Sequence, residues 1–269
     1  ITFGGPTILY LRGVDNLNGT VYNHGGSQTR YFIVFGNDDV PVACTGDIRT
    51  LIDYKTYKTV DTSEAQFIGL FSNCTELTSA PALPATKLAE GCYEEMFAGC
   101  TSLKEAPELP VTTLAPYCYS GMFEGCEKLT EAPALPATTL TDYCYAYMFY
   151  ECTSLETAPE LPATTLADYC YNGMFWGCKS LVNAPALPAT TLAASCYDYM
   201  FYGCTSLEDA PALPATTLVD NCYSHMFCWC TSLKDAPALP ATTLAAKCYL
   251  YMFWGCKSLV NAPALPATT

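Results

Sequence analysis

Cysteine recurs at a fixed interval of 26 residues through most of this chain. Cys74, Cys100, Cys126, Cys152, Cys178, Cys204, Cys230 and Cys256 follow one another without an insertion. Cys92, Cys118, Cys144, Cys170, Cys196, Cys222 and Cys248 form a second series at the same interval. All seven methionines, Met96 to Met252, share one register, and sixteen of the 19 prolines fall in eight copies of Ala-Pro-x-Leu-Pro. Met174 to Thr191 returns letter for letter as Met252 to Thr269. A fixed period of this length is the mark of stacked units, none of which can bury its own apolar face alone. A solenoid is therefore expected.

The unit divides into two halves. In one, Leu140, Cys144 and Met148 are spaced four apart with Tyr145 and Phe149 beside them, which reads as one apolar helix stripe. Thr139, Thr165 and Thr217 stand where N-caps would, with Asp142, Asp168 and Asp220 three residues on. Pro116 falls in the same first turn, where its missing N–H costs nothing. Gly99, Gly125, Gly177, Gly203 and Gly255 suit left-handed caps at the other end. Glu151 and Trp229 break that rule, so those two helix ends must close differently or carry strain. The other half is extended and proline-rich, which limits its strand to a few residues before the first proline. The reading is an α/β solenoid with one short strand and one short helix per 26 residues. Its strands would form one parallel sheet, and its strand–helix–strand crossovers would be right-handed.

The pattern reaches back beyond the cysteines. Ile48 and Leu51 take the first Cys and Leu positions, Asp61 and Glu64 those of the Thr and the acid, Leu70 and Phe71 those of Met-Phe, and Asn73 that of Gly. Residues 48–73 read as a degenerate repeat, 74–255 as seven regular ones and 256–269 as a partial one. Residues 1–47 differ. Thr7–Leu11, Thr20–Tyr22, Tyr31–Phe35 and Val40–Ala43 read as strands, with Asn18-Gly19 as a hairpin signal. A small N-terminal β cap shielding the first coil is the expectation. The chain opens at Ile1 with no signal-like segment and stops at Thr269 in mid-pattern. A fragment with its targeting sequence removed is expected, with further chain or a contact covering the last coil.

The repeat resembles the leucine-rich repeats of BspA-like bacterial surface proteins. Met200-Phe201-Tyr202-Gly203-Cys204-Thr205-Ser206-Leu207 and Leu213-Pro214 carry the likeness, which recurs over about 48–269. It departs in Ala-Pro-x-Leu-Pro, where the more usual form has isoleucines and one proline, and that bears on the length of the strand. The resemblance implies a leucine-rich-repeat solenoid, a secreted or cell-surface location in bacteria, and binding or adhesion, with no catalytic residue to carry over.

Seventeen cysteines in an extracellular protein would ordinarily mean disulfides. Here the two cysteines of a unit lie eight apart across the expected helix, and equivalents in a ladder have no preferred partner. Free thiols filling small buried slots are the favoured alternative. The one metal-like group is Cys222, His225, Cys228 and Cys230, but helical spacing would put His225 and Cys228 outside and Cys222 inside, so no metal site is assigned. With two histidines, scattered acids and no phosphate loop, neither an enzyme nor a cofactor site has a constellation behind it. Asp and Glu outnumber Lys and Arg 26 to 12, which argues against a nucleic-acid partner. No stretch is apolar enough to insert in a membrane as a helix.

What varies between units is the outer face, which is rich in rings. Tyr117, Tyr143 and Tyr169 share one position, Tyr147, Tyr199 and Tyr251 a second, and Tyr150, Trp176, Tyr202 and Trp254 a third. At a 26-residue interval such positions become ladders along the rod. Either they fill grooves between neighbouring helices, or Tyr147, Tyr150, Trp176, Tyr199, Tyr202, Tyr251 and Trp254 form a binding strip. The third position also holds Ala98, Glu124 and Cys228, so it is not a closed core slot and partial exposure is expected. The leading functional expectation is a surface-displayed module for a protein partner, from a host among others. A glycan-binding module using the ring ladders, or a structural spacer, are the alternatives.

Overall fold

The structure, a computed structural model, describes residues 10–24, 27–33 and 40–266. Successive units stack at a register of 26. Phe97, Phe123, Phe149, Phe175, Phe201 and Phe227 form one column of parallel rings, 5.6–5.7 Å between neighbours. Tyr119, Tyr145, Tyr171, Tyr197 and Tyr223 form a second column at 5.7–5.9 Å. Between them stand columns of buried Met, Leu and both cysteine series, which makes one continuous core. Each ring packs on the coils before and after it, so no coil has a core of its own.

The expected helix is absent. Among the described residues the one helix is a single 3-10 turn, Ile48–Leu51, capped by Asp47, whose carboxylate accepts from the Arg49 N–H. The Cys-Tyr-x-x-Met-Phe half is instead an unbroken run of tight turns. The N–H groups of Cys144, Ala146, Met148, Tyr150 and Cys152 each donate to the carbonyl three residues back. The alternate N–H groups, of Tyr143, Tyr145, Tyr147, Phe149 and Glu151, donate to Asp168, Cys170, Asn172, Met174 and Trp176 in the next coil at 2.7–3.1 Å. Every backbone donor of the run is thus used, half locally and half across coils. The reason is conformational. Every fourth residue is left-handed: Tyr143, Tyr147 and Glu151 at φ 56, 55 and 54°, then Tyr169, Gly173 and Gly177 at 57, 57 and 74°. An α-helix cannot contain such residues.

The supposed caps are reassigned accordingly. Gly99, Gly125, Gly177, Gly203 and Gly255 are left-handed, at φ 66–79°, but as ladder members. Glu151 and Trp229 adopt the same conformation without glycine's freedom. The Asp142 carboxylate accepts from the N–H of Asp168, that of Asp168 from Ala194, and that of Asp220 from Ala246. These acids bridge coils; they do not cap helices.

The expected parallel sheet shrinks to single-residue bridges. Glu131 pairs with Thr157, Asn183 with Asp209, Asp209 with Asp235 and Asp235 with Asn261, all parallel. These four each precede Ala-Pro, where the proline stops the ladder; two more, Thr139 with Thr165 and Thr217 with Thr243, follow the prolines at the residues expected as N-caps. One two-strand parallel pair does form: β3 (Val42–Ala43) beside β4 (Leu77–Ser79).

Ahead of the coils, β1 (Val21–His24) and β2 (Ser27–Arg30) make an antiparallel hairpin. Its link, residues 25–26, lies outside the described residues. The turn at Asn18-Gly19 is real, with Gly19 at φ 72°, but it sets Gly19 parallel to Gln66 and does not close a hairpin. Thr20–Tyr22 overlaps β1, while residues 10–11 and 31–33 form no strand; the remainder of those two expected strands, residues 7–9 and 34–35, lies outside the described residues. Thr20 and Ile33 donate to the carbonyls of Gln66 and Leu70, which ties this region to residues 48–73. The inter-coil ladder starts there, with Phe67, Gly69, Phe71 and Asn73 donating to Cys92, Glu94, Met96 and Ala98, and Asn73 is left-handed at φ 61°.

Fifteen of the seventeen cysteines are buried and Cys44 and Cys256 are half-buried, with no disulfide among the described residues. One series has a stated task. Cys100, Cys126, Cys152, Cys178, Cys204, Cys230 and Cys256 each direct Sγ at the carbonyl of a Phe in the coil before, at 3.0–3.3 Å. That carbonyl also takes the N–H of its own coil's cysteine. Cysteine fits as a small apolar filler that still carries a weak donor. Burial pushes the thiols of Cys92, Cys100 and Cys144 up to about 12. Titration with a thiol reagent at neutral pH is expected to leave nearly all repeat cysteines unreacted in the native protein and to count them all after unfolding without reductant. A low count in the unfolded protein would mean disulfides.

Candidate binding surface

The left-handed positions decide what faces outward. Viewed across coils, one such position holds Glu95, Gly121, Tyr147, Gly173, Tyr199, His225 and Tyr251. Side chains at these positions lean over the following coil. A Cβ built on Gly173 would stand 2.5 Å from Tyr147 Cε1, one on Gly177 2.6 Å from the Glu151 carboxylate, and one on Gly255 2.8 Å from the Trp229 ring. Glycine in one coil makes room for the large side chain of the coil before.

The lean joins two of the sequence's aromatic rows into one belt. Tyr147 meets Tyr150 edge-on at 6.1 Å, and Tyr150 meets Trp176 at 5.5 Å. Trp176 stacks on Tyr199 at 4.9 Å and touches Tyr202 at 4.5 Å. Tyr199 stacks on His225 at 4.3 Å, His225 meets Tyr251 at 5.4 Å, and Tyr251 meets Trp254 edge-on at 4.7 Å. Tyr147, Tyr150, Trp176, Tyr199 and Tyr202 are half-buried, while Tyr251 and Trp254 are 50% and 54% exposed. The remaining row stays apart: among the described residues Tyr117, Tyr143 and Tyr169 stack only on one another, at 4.6–4.7 Å.

One member of the belt, His225, lies outside the sequence's aromatic rows, and the Trp229 ring stands beside the belt. His225 occupies the position of Tyr199 and Tyr251, so its register was the available signal. Trp229 stands at a glycine position, its ring over Gly255 and Lys257 Nζ 5.9 Å from its centroid. His225 is not drawn into a metal site. Its Nδ1 lies 2.7 Å from Ser224 Oγ and 3.7 Å from Asp198 Oδ1. Among the described residues no three His, Cys, Asp or Glu side chains converge as metal ligands.

Asp198 is the polar centre beneath the belt. Its Oδ1 is buried without a hydrogen-bond partner among the described residues, and burial pushes its carboxyl up to about 6, against the Ser224 hydroxyl, which favours the ion. Tyr147, Tyr199 and His225 are the titratable groups around it, and burial lowers His225. The folded chain therefore holds a proton on Asp198 at pH values where the unfolded chain has lost it. Ionised Asp198 opposes folding above about pH 6, and this penalty fades as pH falls toward the unfolded value near 4. His225, lowered, works in the opposite sense. Asp198→Asn is expected to raise stability at pH 7.5 by about 1 kcal/mol after allowance for solvent screening, with the gain largely gone near pH 4.5. Urea unfolding at the two pH values checks this; an equal gain at both would mean the charge is not the cause.

A depression of about 800 Å³ lies beside β3 and β4 and includes Asp47, Arg49, Tyr57 and Lys58. Its arginine is already held by Asp47 at 2.7 Å. No helix among the described residues is long and apolar enough to cross a membrane.

These features define a leucine-rich-repeat protein whose variable chemistry lies on an outer aromatic face. The model of the BspA type leucine rich repeat region matches in six copies over residues 68–207 and 145–264, and the chain belongs to that family. No curated protein matches. Among solved structures, a leucine-rich repeat protein from Bacteroides ovatus is similar at 19% identity, over 90% of this chain and 72% of that one, with a TM-score of 0.42.

Proposed function

We propose that this chain is a non-enzymatic binding module, displayed at the surface of or secreted from a bacterial cell, that recognises a protein partner through its aromatic belt. In this reading the coils form a right-handed solenoid with residues 1–47 as its cap. The supporting observation is the backbone beneath the rings. Tyr147, Tyr199, Tyr251 and His225 all sit at φ 51–58°. A residue with a side chain is disfavoured there by about 1–2 kcal/mol. Gly121 and Gly173 fill the same position in sister coils, so the fold accepts the unstrained residue. Stacking between rings offsets part of the cost, about 0.5–1.5 kcal/mol per pair. Strained bulky residues where glycine would serve point to a task beyond stability.

The test follows from that contrast. Tyr199→Gly and Tyr251→Gly are expected to change unfolding free energy by less than about 1 kcal/mol, because relief of strain offsets lost stacking. The same variants should weaken binding to the protein hit of an immobilised extracellular-protein array about thirtyfold, as loss of a hot-spot ring does. A loss of several kcal/mol in stability with unchanged binding would make the belt a groove filler. The alternative reading is a glycan partner for the same rings. Hits on a glycan array that vanish with Tyr251→Gly would move the partner to that class.

A further inference from the structure

The belt has two unlike ends, and the end nearer the N-terminus carries charge. One coil before Tyr147 in its column stands Gly121, and one coil before that stands Glu95. One coil before Tyr150 stands Glu124. Gly121 is buried and left-handed at φ 58°. A Cβ on it would lie 3.2 Å from Glu95 Cγ and 3.5 Å from Glu124 Oε2. Tyr147 leans the other way, over Gly173, so nothing in its own column covers Gly121 from the C-terminal side. The result is a notch floored by glycine, with two carboxylate side chains over it and the first rings of the belt, Tyr147 and Tyr150, one coil further on. Among the described residues neither Glu95 nor Glu124 is in an ion pair. Burial first, and then the charge of Glu95, push the Glu124 carboxyl upward, so the two acids stand as an uncompensated like-charged pair.

We infer that this notch receives an arginine of the partner, so that the belt docks a basic, arginine-bearing protein segment. The inference rests on the belt being a binding surface and adds the partner's chemistry. A guanidinium is planar, weakly hydrated and always charged. It forks onto a carboxylate with two parallel hydrogen bonds and lies flat against a phenol ring. An ammonium matches the charge but not the flat ring face. A metal ion would want three or more converging ligands, which the described residues do not assemble here. The formal charge of −14 adds long-range attraction for a basic surface.

The experiment uses the whole chain and short oligoarginine and oligolysine peptides at near-physiological ionic strength, read by calorimetry. Glu95→Gln with Glu124→Gln, and separately Tyr150→Ala, should each weaken oligoarginine binding about tenfold. A control pair, Asp209→Asn with Asp235→Asn, removes the same charge from the exposed bridge column and should weaken it less than about twofold. Oligolysine should bind about fivefold more weakly than oligoarginine. Equal losses in both double variants, or oligolysine binding as tightly, would overturn the proposal and leave only general charge attraction. If Tyr199→Gly abolishes partner binding while oligoarginine fails to compete, the belt stands and the arginine notch falls. If Tyr199→Gly leaves partner binding intact, the belt reading itself has failed.

Discussion

Phe149→Ala is expected to lower the free energy of unfolding by about 4 kcal/mol. The ring is fully buried and lies flat between Phe123 and Phe175, 5.7 Å from each. Its removal leaves a void in a column whose flanking rings, Phe123 and Phe175, are each held on the far side by a further stacked ring, Phe97 and Phe201. The backbone there is held from two sides. The Phe149 carbonyl takes the Cys152 N–H and the Cys178 thiol, while its own N–H reaches Met174. That network resists collapse into the cavity, which places the expected cost in the upper part of the usual range. Urea unfolding of the variant gives the number. A loss under about 1.5 kcal/mol would show that the column closes up.

A single residue inserted after Ala146 is expected to be worse, at more than about 5 kcal/mol, whereas removal of residues 152–177 should leave a folded, shorter protein. The turn run alternates local and inter-coil donors residue by residue. One extra residue gives every later N–H of that run the wrong role. It also moves Met148 and Phe149 out of their columns and puts ordinary residues where the left-handed backbone is required. Excising 26 residues joins Glu151 to Cys178 and preserves each role, at the cost of one interface among several. Thermal unfolding of the two variants distinguishes them; a 26-residue deletion that fails to fold would mean the coils are not interchangeable.

The stacking, its register and the buried positions could be read directly from the sequence, because a strict period leaves little choice of core. The helix could not, and the error was in the period. Leu140, Cys144, Met148 and Cys152 are all buried, at intervals of four. On an α-helix each such step drifts by about 40°, so the fourth residue would have left the core face. Glycines at four-residue spacing, Gly121 with Gly125 and Gly173 with Gly177, carried the same message. The aromatic rows were visible as separate ladders. Their merger was not, because it depends on side chains leaning from Tyr147 over Gly173, a direction fixed by the left-handed backbone and absent from a helical picture. Histidine among cysteines in the sequence invites metal chemistry, while the column of His225 places it among rings.

The inter-coil bonds of the turn run also share one sense. From Gly91 onward, five N–H groups of each coil point to carbonyls of the next, ending with Asn221, Tyr223, His225, Phe227 and Trp229 on Ala246, Cys248, Leu250, Met252 and Trp254. Peptide dipoles aligned head to tail in this way add, as they do in an α-helix, although here they run along the stacking axis and not along the chain. The stack is therefore an electrically polarised rod. Each added coil lengthens the dipole while the partial charge at either end stays the same. Within the turn run the inter-coil donors face the C-terminal side and the acceptors the N-terminal side, so the two directions along the stack are electrically unlike.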